Sequence, residues 1–406
     1  MAKKDTKLTL KKIWGYIHLW GGLASGIVVL IVSITGCIFV FEEEIRNITQ
    51  KEFRFVEPQK QAKISLAEAT NTINTQYPKM KIEQIRLFSD PNRTIIAKLI
   101  ENKNENPKAK SEVQKGKKEN EMAGKKVTIS LNPYTGVIIG TWNMDKDFLH
   151  FVEEMHVNLL LGDVGKWLIK INIVVFLVML ISGFVLWFPR KKNQMRTAFK
   201  MKFNTKFQLL NYNFHNVFGF YFLLPLFLVT FTGMWWAIKP VQKGVYAVLG
   251  EKMKEPKKSI SVPQEGKLFT PNQAFETVKN QYAGWNEAHI NFAKNEKECV
   301  KVNLRYPYEI VKKQNVFEFD QYSGEMLKTE LFANYSAGDK VKHANRDLHT
   351  GKAFGLFGKI LMFLASLFSA TLPITGMLIW YNRKYKKSAK KVVRPQQAVK
   401  PQFATV

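Results

Sequence analysis

Four long apolar runs constrain the fold of this chain more than any other feature of its sequence. They cover residues 14–41, 167–188, 214–238 and 356–381. Each run reaches the roughly 20 residues that an α-helix needs to cross the hydrocarbon core of a bilayer. Tryptophan rings, which favour the membrane interface, lie near the ends of the runs. The sequence therefore predicts an α-helical integral membrane protein with four transmembrane helices.

The distribution of charge predicts how these helices are oriented. The chain carries 61 Lys and Arg against 33 Asp and Glu, a net charge of +28. Of these basic residues, 20 lie in the short segments 1–12, 189–211 and 382–406. Because basic flanking segments stay in the cytoplasm, we expect a multi-pass protein of the bacterial inner membrane with both termini cytoplasmic. The first apolar run is longer than the roughly 7–15 residues of a secretory signal, so it is expected to remain as a span.

The two long loops outside the membrane are predicted to fold as small extracytoplasmic α+β domains. Each has an amphipathic helical stretch followed by short strand-like runs. Residues 101–126, rich in Lys, Asn and Glu, are expected to be a disordered insertion in the first domain. The predicted division is N-terminal segment 1–12, first span 13–41, first outer domain 42–143, outer helix and second span 144–188, cytoplasmic linker 189–211, third span 212–238, second outer domain 239–335, outer helix and fourth span 336–381, and tail 382–406.

An internal repeat relates the two halves of the chain. His156, Gly165 and Gly183 recur 193 residues later as His349, Gly358 and Gly376. In the opening spans the offset is 197, which relates His18 to His215. Offsets that change only in loops indicate a duplicated unit with loop insertions. Because both halves begin in the cytoplasm, the two repeats are predicted to be parallel, related by a pseudo-twofold axis along the membrane normal.

The scarcity of some residues and motifs narrows the possible chemistry. Two cysteines, Cys37 and Cys299, are too few for a disulfide framework or a thiolate zinc or iron–sulfur site. The sequence has no C-x-x-C-H motif for covalently attached haem, and no phosphate loop or Rossmann glycine pattern. Any nicotinamide or flavin partner is therefore expected on another protein. Membrane lipid is an expected partner, but nucleic acid is not, because no basic patch is interleaved with aromatic residues.

Six of the seven histidines form three repeat-related pairs and are the candidate site. The pairs are His18/His215, His150/His343 and His156/His349. Imidazole is the usual axial ligand of b-type haem held between facing helices. The competing interpretation is that interfacial histidines hydrogen-bond to headgroups or to neighbouring helices, since a duplication also copies residues that have no special function.

Helical spacing limits which histidines can share a ligand. Residues six apart in a helix are rotated by about 240°, so His150 and His156 cannot face one group if their segment is helical. The chain is expected to bend near Gly162 and Gly165, which places His156 at the outer interface. A haem at the level of the first histidine pair and another near His156 would form an electron relay across the membrane.

The spans also share a Thr–Gly dipeptide, at Thr35–Gly36, Thr232–Gly233 and Thr375–Gly376. Small residues in membrane helices let neighbouring backbones approach closely. These dipeptides, together with Gly21–Gly22, are therefore interpreted as positions of close helix packing rather than of chemistry.

The layout of the chain resembles the PepSY-associated transmembrane family. The resemblance is carried by the W-G-Y-I-H-L-W-G-G-L opening at 14–23 and by the outer domains, which end in N-P-Y-T-G at 132–136 and D-Q-Y-S-G at 320–324. It covers nearly the whole chain except the 101–126 insertion and the tail. The family includes iron-regulated membrane proteins and ferric-siderophore reductases of bacterial inner membranes.

This resemblance implies haem b, two groups being expected, held by transmembrane histidines. It also implies reduction of a ferric siderophore or chelate on the periplasmic side. An electron donor is needed, and because the chain has no fused flavoprotein we expect a separate cytoplasmic flavoprotein or a quinone. The implied axial ligands are His18, His215, His156 and His349, with His150 and His343 as alternatives.

Two other functions remain open from the sequence. The outer PepSY-like domains of a non-enzymatic membrane protein could bind peptides or regulate a protease or sensor. A metal transporter is the third possibility, although the spans lack the intramembrane carboxylates that an ion path usually needs.

Overall fold

The computed structural model describes residues 9–101, 126–143, 146–189, 191–255, 258–264, 266 and 268–386. The insertion predicted at 101–126 thus falls almost entirely outside the described residues. The chain divides into two compact units. The helical unit comprises the described residues up to Cys37, Met155–Ala237 and those from Leu361 onward, and the sheet unit comprises Ile38–Glu154 and Ile238–Ile360.

The helices and strands follow one another in an order that is similar in the two halves of the chain. The first half contains α1 (Leu10–Val40), α2 (Glu42–Thr49), α3 (Lys51–Arg54), α4 (Leu66–Gln76), β1 (Met80–Phe88), β2 (Ile95–Glu101), β3 (Lys126–Leu131), β4 (Ile138–Trp142), α5 (Phe148–Asn158) and α6 (Gly162–Trp187). The linker contains α7 (Lys192–Ala198). The second half contains α8 (Phe207–Tyr221), α9 (Leu223–Ala237), α10 (Lys239–Val248), α11 (Pro271–Lys279), β5 (Glu287–Asn291), β6 (Val300–Arg305), β7 (Gln314–Phe319), β8 (Met326–Glu330), α12 (Ala337–His349) and α13 (Gly355–Tyr381).

Three helical stretches in the described part of the chain are long and apolar enough to cross a membrane. They are Leu10–Val40, Gly162–Trp187 and Lys352–Tyr385. The helices α8 and α9 meet the same criterion only together, and they are bent by 62°. The third predicted span, at 212–238, is therefore two helices rather than one straight helix. Pro225 accounts for the break, because its ring clashes with the carbonyl of the residue four positions earlier, Tyr221, where α8 ends.

The predicted bend before the second span is present in the structure. The helix α5 ends at Asn158, and Leu159 and Leu160 adopt positive φ angles of 55° and 59° before α6 begins. Gly165 then packs on the backbone of Asn158, where a Cβ atom would lie 1.5 Å from the carbonyl oxygen. A side chain at position 165 is incompatible with this turn, so the bend is built into the sequence.

The sheet unit is organised around one antiparallel sheet with the strand order β4-β3-β2-β1-β5-β6-β7-β8. The sequence predicts two separate α+β domains, whereas the structure joins them because β1 pairs with β5. Ile85 lies opposite Ile290 in the middle of this central pair. The sequence could not reveal that β1 pairs with β5. Each strand could equally have been the edge strand of a separate four-stranded sheet.

One face of the sheet is covered by α4 and α11. Both helices begin with a capping box, formed by Ser65 with Glu68 and by Thr270 with Gln273. Alternate strand residues face these helices and form the hydrophobic core, because successive side chains of a strand point to opposite faces. Fully buried members of this core include Ile73, Ile85, Leu99, Ile129, Val278, Ile290, Leu304 and Phe317.

Candidate functional site

His18 and His215 face each other in the helical unit. His18 belongs to α1 and His215 to α8. Their ring centroids are 6.3 Å apart, and the ring planes are perpendicular, at 90°. Both rings are partly buried. The structure thus brings together the two members of a histidine pair that the repeat singles out.

The Nδ1 atom of each ring contacts a hydroxyl group on another helix. His18 Nδ1 lies 2.9 Å from the Oγ atom of Ser182 on α6. His215 Nδ1 lies 2.7 Å from the Oγ1 atom of Thr375 on α13. Ser182 and Thr375 are separated by the 193-residue offset of the repeat. The same histidine–hydroxyl contact therefore occurs in both halves of the chain.

The hydrogen bonds of these hydroxyls favour one tautomer of both histidines. Ser182 Oγ donates to the Met179 carbonyl at 3.1 Å, and Thr375 Oγ1 donates to the Thr371 carbonyl at 2.8 Å. A hydroxyl has one hydrogen, so each oxygen can only accept from the ring. With the hydroxyl hydrogens assigned to these carbonyls, Nδ1 carries the proton, and in a neutral imidazole Nε2 keeps its lone pair. An Nε2 lone pair with Nδ1–H held by an acceptor is the arrangement found in metal-binding histidines.

His156 has the same arrangement at another place in the helical unit. Its Nδ1 atom lies 3.0 Å from Thr35 Oγ1 on α1. Thr35 Oγ1 in turn donates to the Ile31 carbonyl at 2.8 Å. The hydroxyl again accepts from Nδ1–H, so Nε2 of His156 also keeps its lone pair.

A glycine follows each of these three hydroxyl residues and lies against the histidine ring. A Cβ atom at Gly183 would lie 3.3 Å from His18 Cε1. The corresponding distances are 3.5 Å at Gly376 to His215 Cε1 and at Gly36 to His156 Cε1. We call Ser182–Gly183, Thr375–Gly376 and Thr35–Gly36 the hydroxyl–glycine dipeptides. In each, the hydroxyl fixes the ring and the glycine leaves room for it beside the helix.

The hydroxyl–glycine dipeptides thus do more than allow close packing of helix backbones. Close packing is present, but it is packing of a histidine ring, and the hydroxyl contacts that ring. Ser182 was not recognised because a serine takes the place of threonine in this copy, although the repeat relates it to Thr375. The fourth copy, Thr232–Gly233, makes the same hydrogen bond along its own helix, from Thr232 Oγ1 to the Leu228 carbonyl at 2.7 Å.

The other predicted histidines belong to the sheet unit and have different surroundings. His150 is partly buried on α5, with Nδ1 4.0 Å from a carboxylate oxygen of Glu153. The ring of His343 stacks on Tyr335 with centroids 4.7 Å apart, and burial lowers its pKa. His349 is the last residue of α12 and is partly buried.

His289, the histidine without a repeat partner, belongs to a buried ionic cluster on the face of the sheet opposite α4 and α11. Its Nε2 atom lies 2.6 Å from Glu287 Oε1. Glu287 also accepts from Lys312 Nζ at 2.5 Å and lies 3.5 Å from Arg305. Burial alone raises the pKa of Glu287, but its hydrogen bond to His289 and the charge of Lys312 hold that pKa well below its ordinary value. This cluster ties β5, β6 and the loop that contains Lys312 together, and no pattern in the sequence singles it out.

Comparison with known proteins identifies the family. A model of the PepSY-associated TM region matches residues 16–383. The chain belongs to the PepSY-associated TM family. All seven histidines of this PepSY-associated protein lie within the matched range. No curated protein matches the chain. Membership of this membrane family agrees with the three apolar helices and the bent pair, and so with a multi-pass membrane protein.

Proposed function

We propose that this PepSY-associated protein is a haem-containing electron-transfer protein of the bacterial inner membrane that reduces ferric chelates on the periplasmic side. The observation that carries the proposal is the geometry of His18 and His215. Two imidazoles that ligate one metal ion from opposite sides have ring centroids about 6 Å apart. Each metal–nitrogen bond is about 2 Å long, and each ring centroid lies farther from the metal than its nitrogen atom. The observed centroid distance is 6.3 Å.

A haem fits this pair better than a bare metal ion does. The pair supplies two nitrogen ligands, which is the number of axial positions on a haem iron. Phe214 and Phe218, on α8 with His215, pack against Phe368 of α13 in an apolar cluster of the helical unit. Haem sites in helix bundles are built from side chains of facing helices in the same way.

Each residue around the pair has a definite role in this proposal. Bound haem supplies reversible one-electron chemistry. Ser182 and Thr375 accept Nδ1–H, which holds each ring in one tautomer and one orientation and makes Nε2 a better ligand. Gly183 and Gly376 provide the space in which the rings lie. None of these four residues needs to exchange a proton during electron transfer, so the site can change charge with little rearrangement.

His156 and His349 are the proposed ligands of a second haem. The repeat makes them equivalent to each other, and His156 shares the hydroxyl and glycine contacts of the first pair. His150 and His343 remain the alternatives. The approach of His150 to Glu153 and the stacking of His343 on Tyr335 do not resemble the histidine–hydroxyl contacts, so we rank these two lower.

The direction of electron flow follows from the predicted topology. Four spans, arranged as two parallel repeats with cytoplasmic termini, place His18 and His215 at the cytoplasmic level. Electrons would enter there from a separate flavoprotein or from a quinone and leave on the periplasmic side. Each ferric ion takes up one electron and becomes ferrous. Hard oxygen chelators bind the ferrous ion much more weakly, so reduction releases the iron from a siderophore.

The proposal is tested with the purified full chain. The protein is expected to show a Soret band and, after reduction, the resolved α and β bands of bis-histidine haem. Adding a ferric chelate to the reduced protein under anaerobic conditions should restore the oxidised spectrum. A protein that binds haem but is not reoxidised would be a cytochrome with another electron acceptor. A folded protein without haem would refute the proposal.

A further inference from the structure

A cleft of about 680 Å³ lies on the face of the sheet opposite α4 and α11. Its floor follows from the strand register, because residues paired across neighbouring strands point to the same face. Lys98, Gln84, Asn291, Lys301, Glu318 and Lys328 are successive partners across β2, β1, β5, β6, β7 and β8. All six line the cleft. A single row of polar side chains thus crosses the join between the two halves of the sheet.

The lining of the cleft carries more positive than negative charge. Five lysines contribute: Lys98, Lys258, Lys294, Lys301 and Lys328. Three glutamates oppose them: Glu83, Glu298 and Glu318. Three of the lysines form ion pairs: Lys294 with Glu83, Lys301 with Glu318, and Lys328 with Glu330, which lies outside the lining. The cleft therefore keeps an excess of positive charge.

Lys98 is the strongest candidate for a ligand contact. It lies on the cleft floor and is partly buried, and no carboxylate of the described residues lies within 4.0 Å of its ammonium group. Burial and the nearby charge of Arg86 lower its pKa, while the charge of Glu83 acts in the opposite direction. An ammonium group that is both desolvated and beside another cation is stabilised by an anion. Lys98 would therefore gain most from an anionic ligand.

The neutral part of the floor is held in a fixed orientation. Gln84 Nε2 donates to Asn291 Oδ1 at 2.7 Å across the β1–β5 pair. Gln84 Oε1 accepts from Arg86 Nε at 2.8 Å. Asn291 Nδ2 donates to the Lys301 carbonyl at 3.3 Å. These bonds fix both amides, so a ligand would meet a polar surface that needs little reordering on binding.

We propose that this cleft binds an anion with several separated carboxylate groups. Lys98 and Lys301 lie three strand spacings apart, about 14 Å at the backbone. Flexible lysines at this separation suit several charges spread over a ligand better than one compact phosphate. The volume is that of a small-molecule site. If the proposed reductase function is correct, on which this further step rests, the ligand is a ferric polycarboxylate chelate.

The test is calorimetric titration of the full chain in detergent with citrate and, separately, with ferric citrate. We expect binding that weakens as salt is added, because the contacts are ionic. Lys98→Gln should weaken it at least several-fold. Lys301→Gln should weaken it less, because Lys301 also pairs with Glu318, and the double variant should abolish it. The matched control is Lys279→Gln, on α11 at the opposite face, where the lysine pairs with Glu276. It should bind like the wild type.

The outcomes separate this inference from the proposed function. No citrate binding by a protein that contains haem, or equal binding by wild type and Lys98→Gln, overturns the inference and leaves the haem proposal standing. Salt-sensitive citrate binding by a protein without haem supports the cleft and refutes the reductase function. The absorption spectrum and melting temperature of each variant show that it has folded.

Discussion

Thr375 Oγ1 lies 2.7 Å from His215 Nδ1 and donates its hydrogen bond to the Thr371 carbonyl of α13. The equivalent contact between Ser182 and His18 repeats it in the other half of the chain. Two histidines that face each other are thus held in the same tautomer, with their Nε2 lone pairs available to a metal. The following predictions depend on this arrangement and on the fold that supports it.

Replacing Thr375 by valine removes the acceptor for His215 Nδ1–H and keeps the shape of the side chain. We expect a weaker ligand, with haem affinity reduced about 10–100-fold. The midpoint potential of the remaining haem should rise, because a less electron-rich imidazole stabilises ferric iron less. Haem content per chain and a potentiometric titration measure the two effects.

The control for this experiment is Thr371→Val, one turn earlier on the same helix. The Thr371 hydroxyl donates to the Phe368 carbonyl at 2.7 Å, so, like Thr375, it hydrogen-bonds to the backbone of its own helix. Equal losses of haem in both variants would mean that the threonines act through helix stability alone.

A methyl group at Gly183 is predicted to displace the ring of His18. The new Cβ atom would lie 3.3 Å from Cε1, which is closer than ordinary contact. Because alanine is about 1 kcal/mol better than glycine in a helix interior, the substitution should not reduce helix stability. Gly183→Ala is therefore expected to lose haem, while its haem-free form melts no earlier than the haem-free wild type, since bound haem itself stabilises the folded state. Gly183→Val is expected to lose more haem.

Gly219→Ala is the matched control, since Gly219 lies in α8 with His215 and nothing lies within 4 Å of its Cβ position. It should retain haem. The prediction fails if both alanine variants bind as much haem as the wild type.

Features of the fold and site that are set by local sequence could be predicted, whereas contacts between residues far apart in sequence could not. The apolar spans are predicted from hydropathy. The repeat, and with it the pairing of His18 with His215, is predicted from the fixed residue offset between equivalent positions of the two halves. The 62° break before Leu223 could not be predicted from Pro225, because proline is tolerated in many membrane helices. The joining of β1 to β5 and the contact of Ser182 with His18 depend on residues that are far apart in sequence.

Glu287→Gln is predicted to destabilise the sheet unit in a pH-dependent way. The variant leaves the positive charges of Lys312 and Arg305 partly uncompensated, and breaking such a buried pair costs about 3 kcal/mol. The pKa of Glu287 is depressed in the folded protein, so its stabilising effect is complete above its ordinary pKa and is lost as the pH falls. Thermal melting should show a large difference between variant and wild type at pH 7 and a smaller one in acid. A difference that does not depend on pH would contradict this assignment of charge.

The predicted orientation can be tested with single cysteines in a background where Cys37 and Cys299 are serine. Lys200→Cys lies in the linker before α8, and Lys79→Cys lies between α4 and β1; both positions are exposed. A maleimide that does not cross membranes should label position 79 in intact spheroplasts and position 200 only after lysis. The reverse pattern would invert the topology and place the cleft in the cytoplasm.

The central claim is that His18 and His215 hold a haem between them. The most direct test is the haem content and reduced absorption spectrum of the His18→Gln/His215→Gln double variant beside the wild type. Gly219→Ala, on α8 with His215 and with nothing within 4 Å of its Cβ position, serves as the control. We predict that the double variant loses one haem per chain while the control keeps the wild-type spectrum. A double variant with full haem content and an unchanged spectrum, or a folded wild-type protein without haem, would contradict the claim.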